Sequence, residues 1–233
     1  MISKGEVITD LNTLKGKVVF NISENGSPDL VFKHILTEND IEYTSEYQTG
    51  EDDLPVPILG KVILAYKPAA ELIPAIKQNK IEYGILGEPA ITNALNVIGE
   101  PAKVVLDMQE EWADVTGLGR SYAQACLVVN SEFLSANEAF VNDLIAALAL
   151  SDDYLTGDDS ETNIALAKTS FRTYAASTSL ANITKDTVIR SNVETVAAVD
   201  AKDDIIAYLS AIYALNPAAL GNAMPDDGFY YIG

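Results

Sequence analysis

The chain has 233 residues, 48% of them apolar, enough to close a packed core in one large domain or two small ones. Its 15 Lys and Arg stand against 34 Asp and Glu, a formal charge of -19 that repels phosphate backbones and anionic membrane surfaces. Nucleic acid is thereby excluded as a ready partner, and no apolar stretch approaches the roughly 20 residues that a membrane helix needs.

The opening "MISKGEVITD" lacks the charged head and apolar run of a secretion signal, so the chain is expected either to stay in the cytoplasm or to have its leader outside these residues. "KGKVVFNI" then reads as a short β-branched strand, "ENGSP" as a turn, and "PDLVFKHILTEND" as a helix with Leu30, Val31, Ile35 and Leu36 on one face. The segment "YQTGEDDLPVPILG" breaks the pattern with Gly, Pro and three acids and reads as a surface loop. The rhythm resumes with the strand "KVILAY", the helix "PAAELIPAIKQ", the strand "IEYGIL", the helix "EPAITNALNVI" and the strand "AKVVLDM". Near-continuous apolar strands alternating with helices predict an α/β fold, a parallel sheet with helices on both faces.

"SYAQACLVVNSEFL" carries strand character again. The lone cysteine, Cys126, lies in its apolar run and is expected to act as a small hydrophobe, and no disulfide within the chain is possible. Beyond Asn137 the chain reads as helical, with Phe140, Leu144, Ala147 and Leu148 on one face and Ile205, Leu209 and Ile212 on another. The expected organisation is an α/β lobe over 1–130 followed by a mainly helical C-terminal region over 131–233.

Open parallel sheets bind ligands outside the carboxyl ends of their strands, where loops lead into helix N-termini. Three loops have that position. In "NGSPDL", Gly26 permits a tight backbone, Ser27 can cap, Pro28 suits the first helical position and Asp29 follows. In "YKPAAE", Tyr66 and Lys67 end a strand ahead of Pro68. In "LGEPAIT", Gly87 lets the backbone come close and Pro89 fixes the direction in which the Glu88 carboxylate leaves. Each also makes an ordinary helix start, with acids complementing the macrodipole.

Other chemistry finds little footing. His34 is the one histidine and sits within a helical pattern, so neither a histidine-cysteine zinc set nor a convincing Ser-His pair can form. The acid pairs Asp52-Asp53, Asp152-Asp153, Asp158-Asp159 and Asp226-Asp227 lack the spacing of a calcium loop, and no Gly-rich phosphate motif occurs. Trp112, the one tryptophan, reads as a loop residue beside the sheet's carboxyl edge, able to wall a ligand slot or to pack on its own domain. Tyr122 and Gln124 share that ambiguity.

The stretches "ITDLNTLKGKVV", "GSPDLVFKHIL", "AAELIPAIKQNKIEYGILGEPAITNAL" and "NPAALGNAMPDDGFYY" together resemble the substrate-binding proteins of ABC importers. The group they are most similar to is the nitrate, sulfonate and thiamine-precursor binding proteins of the type II periplasmic fold. The resemblance begins where that family's chain crosses into its second lobe, leaving most of a first lobe without a counterpart. It implies a small polar, anionic or heteroaromatic solute held in an interlobe cleft, no cofactor and no catalysis. It further implies an ABC permease as partner, an extracytoplasmic or lipid-anchored location, and self-association through surface the first lobe would cover. Glu88 and Thr92 would face the cleft, Gly26, Ser27, Pro28 and Asp29 would form a ligand loop, and Trp112, Ser121 and Tyr122 would contribute less directly. Rival readings are a biosynthetic enzyme on the same fold, with Glu88 as its acid or base, and a ligand-sensing regulatory domain.

Overall fold

The computed structural model describes residues 1–119, 122–174 and 182–231. Ser121 lies outside these residues.

Six strands form one mixed sheet in the order β3-β4-β2-β5-β1-β6: β1 (Ile2–Ser3), β2 (Val18–Asn21), β3 (Tyr43–Thr44), β4 (Val62–Tyr66), β5 (Tyr83–Ile85) and β6 (Lys103–Val104). β3, β4, β2 and β5 run parallel, and β1 lies antiparallel between β5 and β6. The pleat sends alternate residues to opposite faces. Val19 and Leu64 join one hydrophobic cluster, while their neighbours Phe20 and Ala65 join a second.

Each cluster is closed by its own helices, as the strand-helix rhythm predicts. α1 (Ser27–Glu38) and α4 (Met108–Thr116) bring Val31, Phe32, Ile35, Leu36, Met108 and Trp112 to the first. α2 (Ala69–Lys77) and α3 (Ala90–Ile98) bring Leu72, Ile73, Ile76, Ile91, Ala94 and Ile98 to the second. Gly84 explains how closely α2 approaches. A Cβ built there would stand 2.8 Å from Ile76 Cδ1 and 3.2 Å from Leu72 Cδ2, so the absent side chain eases the seating of the helix on β5. Residues 47–60 are largely exposed and fold back through Val56 N–H to Gln48 O and Gly50 N–H to Leu54 O, each at 2.8 Å.

The chain divides into two compact units, residues 1–122 with 207–224 and residues 123–206 with 225–233. Part of α9 (Lys202–Leu215) therefore belongs with the sheet unit, where Ala211 and Tyr208 pack into the first cluster. The second unit contains α5 (Ser131–Ala136), α6 (Glu138–Thr156), α7 (Ser160–Tyr174) and α8 (Lys185–Arg190). Thr184 and Thr187 form a reciprocal capping box at the start of α8.

Several expectations are corrected. The strand read over "SYAQACLVVNSEFL" does not form: 122–130 is irregular and α5 begins at Ser131. A strand needs a partner for its N–H and C=O groups, and no hydrogen bond in the described structure involves the backbone of 123–129. Cys126 is consequently exposed rather than buried as a small hydrophobe. On α6 the buried stripe is Val141 with half-buried Leu144, Ile145 and Leu148, leaving Phe140 58% exposed. That face shares Leu144 and Leu148 with the expected one but is turned by about one residue, because both spacings satisfy a helical period.

Candidate functional site

The carboxyl ends of β4, β2 and β5 lie side by side, with Asn21 in register with Tyr66 on one flank and Ile85 on the other. From β2 the chain turns to α1 on one face of the sheet. From β4 and β5 it turns to α2 and α3 on the other. Strand ends whose loops diverge in this way are the position at which open α/β sheets hold ligands.

The first predicted loop sits at this edge with one change of role. Gly26, not Ser27, is the N-cap of α1; Ser27 is the first helical residue, with Pro28 in the first turn. An extended backbone at Gly26 lets its carbonyl accept from Asp29 N–H and Leu30 N–H, each at 3.0 Å. Asp29 is 1% exposed and its carboxylate is fully engaged. It accepts from Asn25 N–H at 2.8 Å, pairs with Lys33 Nζ at 2.8 Å, and accepts from Tyr66 Oη at 3.1 Å. Burial, with the adjacent Asp29 charge, pushes the Tyr66 phenol well above its ordinary value and keeps it a donor. The structure thus joins Tyr66 to the Gly26–Asp29 loop.

One strand over, Glu88 serves α3. Its Oε2 accepts from Thr92 N–H at 3.1 Å and from Thr92 Oγ1 at 2.9 Å, while Pro89 is the N-cap residue. The carboxylate satisfies one of the donors that a helix start leaves unpaired. Next to it, a Cβ at Gly87 would meet nothing within 4 Å, so this backbone borders open space.

Trp112 lies elsewhere. It is on α4, not in a loop, and is 2% exposed, since Met108 and Trp112 share the apolar face of a short helix. Its ring packs against His34 (centroids 5.1 Å), Tyr122 (5.6 Å) and Tyr208 (5.8 Å), and Tyr122 stacks on Tyr208 at 5.7 Å. Burial holds the His34 imidazole below its ordinary value and raises the Tyr122 phenol. A cavity of about 220 Å³ beside this cluster is bounded by Asn25, Ser27 and Leu30 at the start of α1 and by Tyr208 and Ile212 of α9. Gln124 is exposed.

Sequence reasoning passes over Asn21. It is 3% exposed at the end of β2, and Ile22 N–H donates to its Oδ1 at 2.8 Å. That bond fixes the amide's orientation and leaves Nδ2 buried with no hydrogen-bond partner. The signal was a polar residue ending the apolar run "VVFN". Among the described residues no group of three or more His, Cys, Asp or Glu could hold a metal ion, and no helix is long and apolar enough to cross a membrane.

No family model and no curated protein matches the chain. Among solved structures, the chain is similar to an ABC transporter from Parabacteroides distasonis, with a TM-score of 0.67 and 19% identity over 99% of this chain and 69% of that one. The fold is of the periplasmic-binding type, a mostly parallel sheet clad in helices with further helices beyond it.

Proposed function

We propose that this chain is a solute-binding component of an ABC importer, holding a small polar, anionic or heteroaromatic solute at the carboxyl edge of its parallel strands. The observation that carries the reading is the buried, unpartnered amide nitrogen of Asn21, on the strand between Tyr66 and Ile85. A buried donor without an acceptor costs about 1–3 kcal/mol, a cost that an accepting ligand would relieve. The transporter naming of the structural neighbour supports the same reading, as does the engagement of Glu88 in capping α3, which gives that carboxylate work other than proton transfer.

In this reading the ligand accepts from Asn21 and approaches the open space at Gly87, with Ser27 and the start of α1 on its flank. The closest ligand classes are those of the nitrate, sulfonate and thiamine-precursor binders. The lobe over 1–130 carries the site, followed by the mainly helical region over 131–233; the protein works outside the cytoplasm and hands its solute to an ABC permease, and no reaction is catalysed. The test is a calorimetric screen of inorganic anions, sulfonates and pyrimidines against wild type and Asn21→Ala. Saturable binding by wild type, weakened at least about tenfold in the variant, is the expected result. Absence of binding across all three classes, or turnover of any of them, overturns it.

A further inference from the structure

A larger cavity of the sheet unit lies away from the carboxyl edge. It is a groove of about 450 Å³ bounded by the last residues of three helices, Thr37 and Glu38 of α1, Val115 and Thr116 of α4, and Ala214 and Leu215 of α9. α1 starts at the carboxyl edge and runs for 12 residues, about 18 Å at the helical rise. The groove at its far end is therefore remote from the proposed solute site and from any lobe that would close over it.

A helix C-terminus leaves carbonyls unpaired and carries roughly half an elementary negative charge. On the opposite face of the sheet the fold answers this with ammonium groups. Lys77, in the last turn of α2, donates to Val97 O of α3 at 2.7 Å, and Lys4 Nζ donates to Lys77 O at 2.7 Å. The groove has no such answer. Neither the last turns of α1, α4 and α9 nor the described residues lining the groove include a Lys or Arg. Glu38 adds a half-exposed carboxylate, and α4, "MQEEWADVT", adds acids and no base. His34 Nδ1 stands 3.9 Å from Glu38 Oε1, but burial holds the ring below its ordinary value and so uncharged at neutral pH.

We infer that this groove binds an organic cation, its ammonium set among the three helix ends and Glu38 and its short apolar body against Val115, Leu118, Ala211 and Leu215. Charge selects this occupant. A second copy would bring its own -19 to the groove, and a bare hydrocarbon would leave the helix ends unanswered. The volume is that of a small-molecule site.

Trp112 reports on the groove, because its ring packs at 5.1 Å on His34, which lines it. The experiment titrates the whole chain at neutral pH with 4-phenylbutylamine, 4-phenylbutanol and 4-phenylbutyrate, which share one apolar body and differ in charge, reading Trp112 emission and calorimetric heat. The amine is expected to bind saturably with a Kd of about 1 mM or below, the alcohol about tenfold more weakly or worse, and the carboxylate not at all. Glu38→Gln should weaken the amine at least about threefold. Glu6→Gln, which removes the same charge from a side chain 99% exposed beside Lys103, should leave it unchanged. Ala214→Phe, filling the groove from an exposed helix position, should abolish binding while keeping the wild-type circular dichroism. Asn21→Ala should not affect the amine, so the inference stands or falls apart from the solute site. No amine binding up to about 10 mM, equal binding of all three probes, or amine binding indifferent to Glu38→Gln or to Ala214→Phe overturns it.

Discussion

At the scale of single residues, the most heavily engaged group at the sheet edge is the Asp29 carboxylate. Asp29 is buried with three partners, and Lys33, only 12% exposed at its side chain, relies on it for neutralisation. Asp29→Asn leaves that ammonium uncompensated and should cost about 3 kcal/mol, read as a lower urea midpoint with unchanged m-value. His34 gives a second prediction. Its folded-state pKa lies below the unfolded value, because burial favours the neutral ring, with Glu38 opposing more weakly. The unfolded chain therefore takes up the proton first as pH falls. The stability this neutral ring contributes is present at pH 7 and is lost as pH drops from the ordinary histidine value, about 6.5, through the lower folded one. His34 is the chain's one histidine and packs on its one tryptophan, so acidification should also quench Trp112 emission, with a midpoint below that ordinary value. His34→Gln should flatten both curves.

At the scale of elements, two junctions set how the sheet edge is built. Gly84 eases the approach of α2, and Gly84→Ala sets a methyl against the tips of Ile76 and Leu72, side-chain ends that can shift, so it should cost about 1 kcal/mol, the low end of overpacking, in urea unfolding. Glu88 caps α3, so Glu88→Ala should destabilise by about 1 kcal/mol in thermal melts, as loss of a helix cap does. The strands and helices of the sheet were legible because burial on both faces writes continuous apolar runs, and amphipathic helices write a 3.6-residue period. β1 and β3 were not legible, since each has two residues and, unlike the equally short β6 in "KVVL", neither lies in a continuous apolar run. α4 was hidden by its polar surface: of "MQEEWADVT" only Met108 and Trp112 are buried. The segment 123–129 carries a strand's composition without a partner within the described structure, and local preference cannot substitute for pairing.

At the scale of the whole molecule, an excess of 19 negative charges works against compactness. Raising the salt from about 10 mM to about 150 mM shortens the Debye length from roughly 30 Å to roughly 8 Å, so the melting temperature should rise over that range, most steeply at its lower end. The sequence by itself determined the fold class, the alternation that lays a mostly parallel sheet between helices, and the three loops at its carboxyl edge, because these follow from hydrophobic periodicity and turn chemistry read along the chain. Only the tertiary structure decided what each polar group there does. Asp29 binds Lys33 and Tyr66, and Glu88 binds Thr92. Trp112 enters the core, and the Asn21 amide nitrogen, which no motif marked, is left as a buried donor without an acceptor at the sheet edge. A hydrogen bond or a packed ring depends on which residues distant in sequence arrive within a few ångströms, and that is fixed by folding rather than by local order.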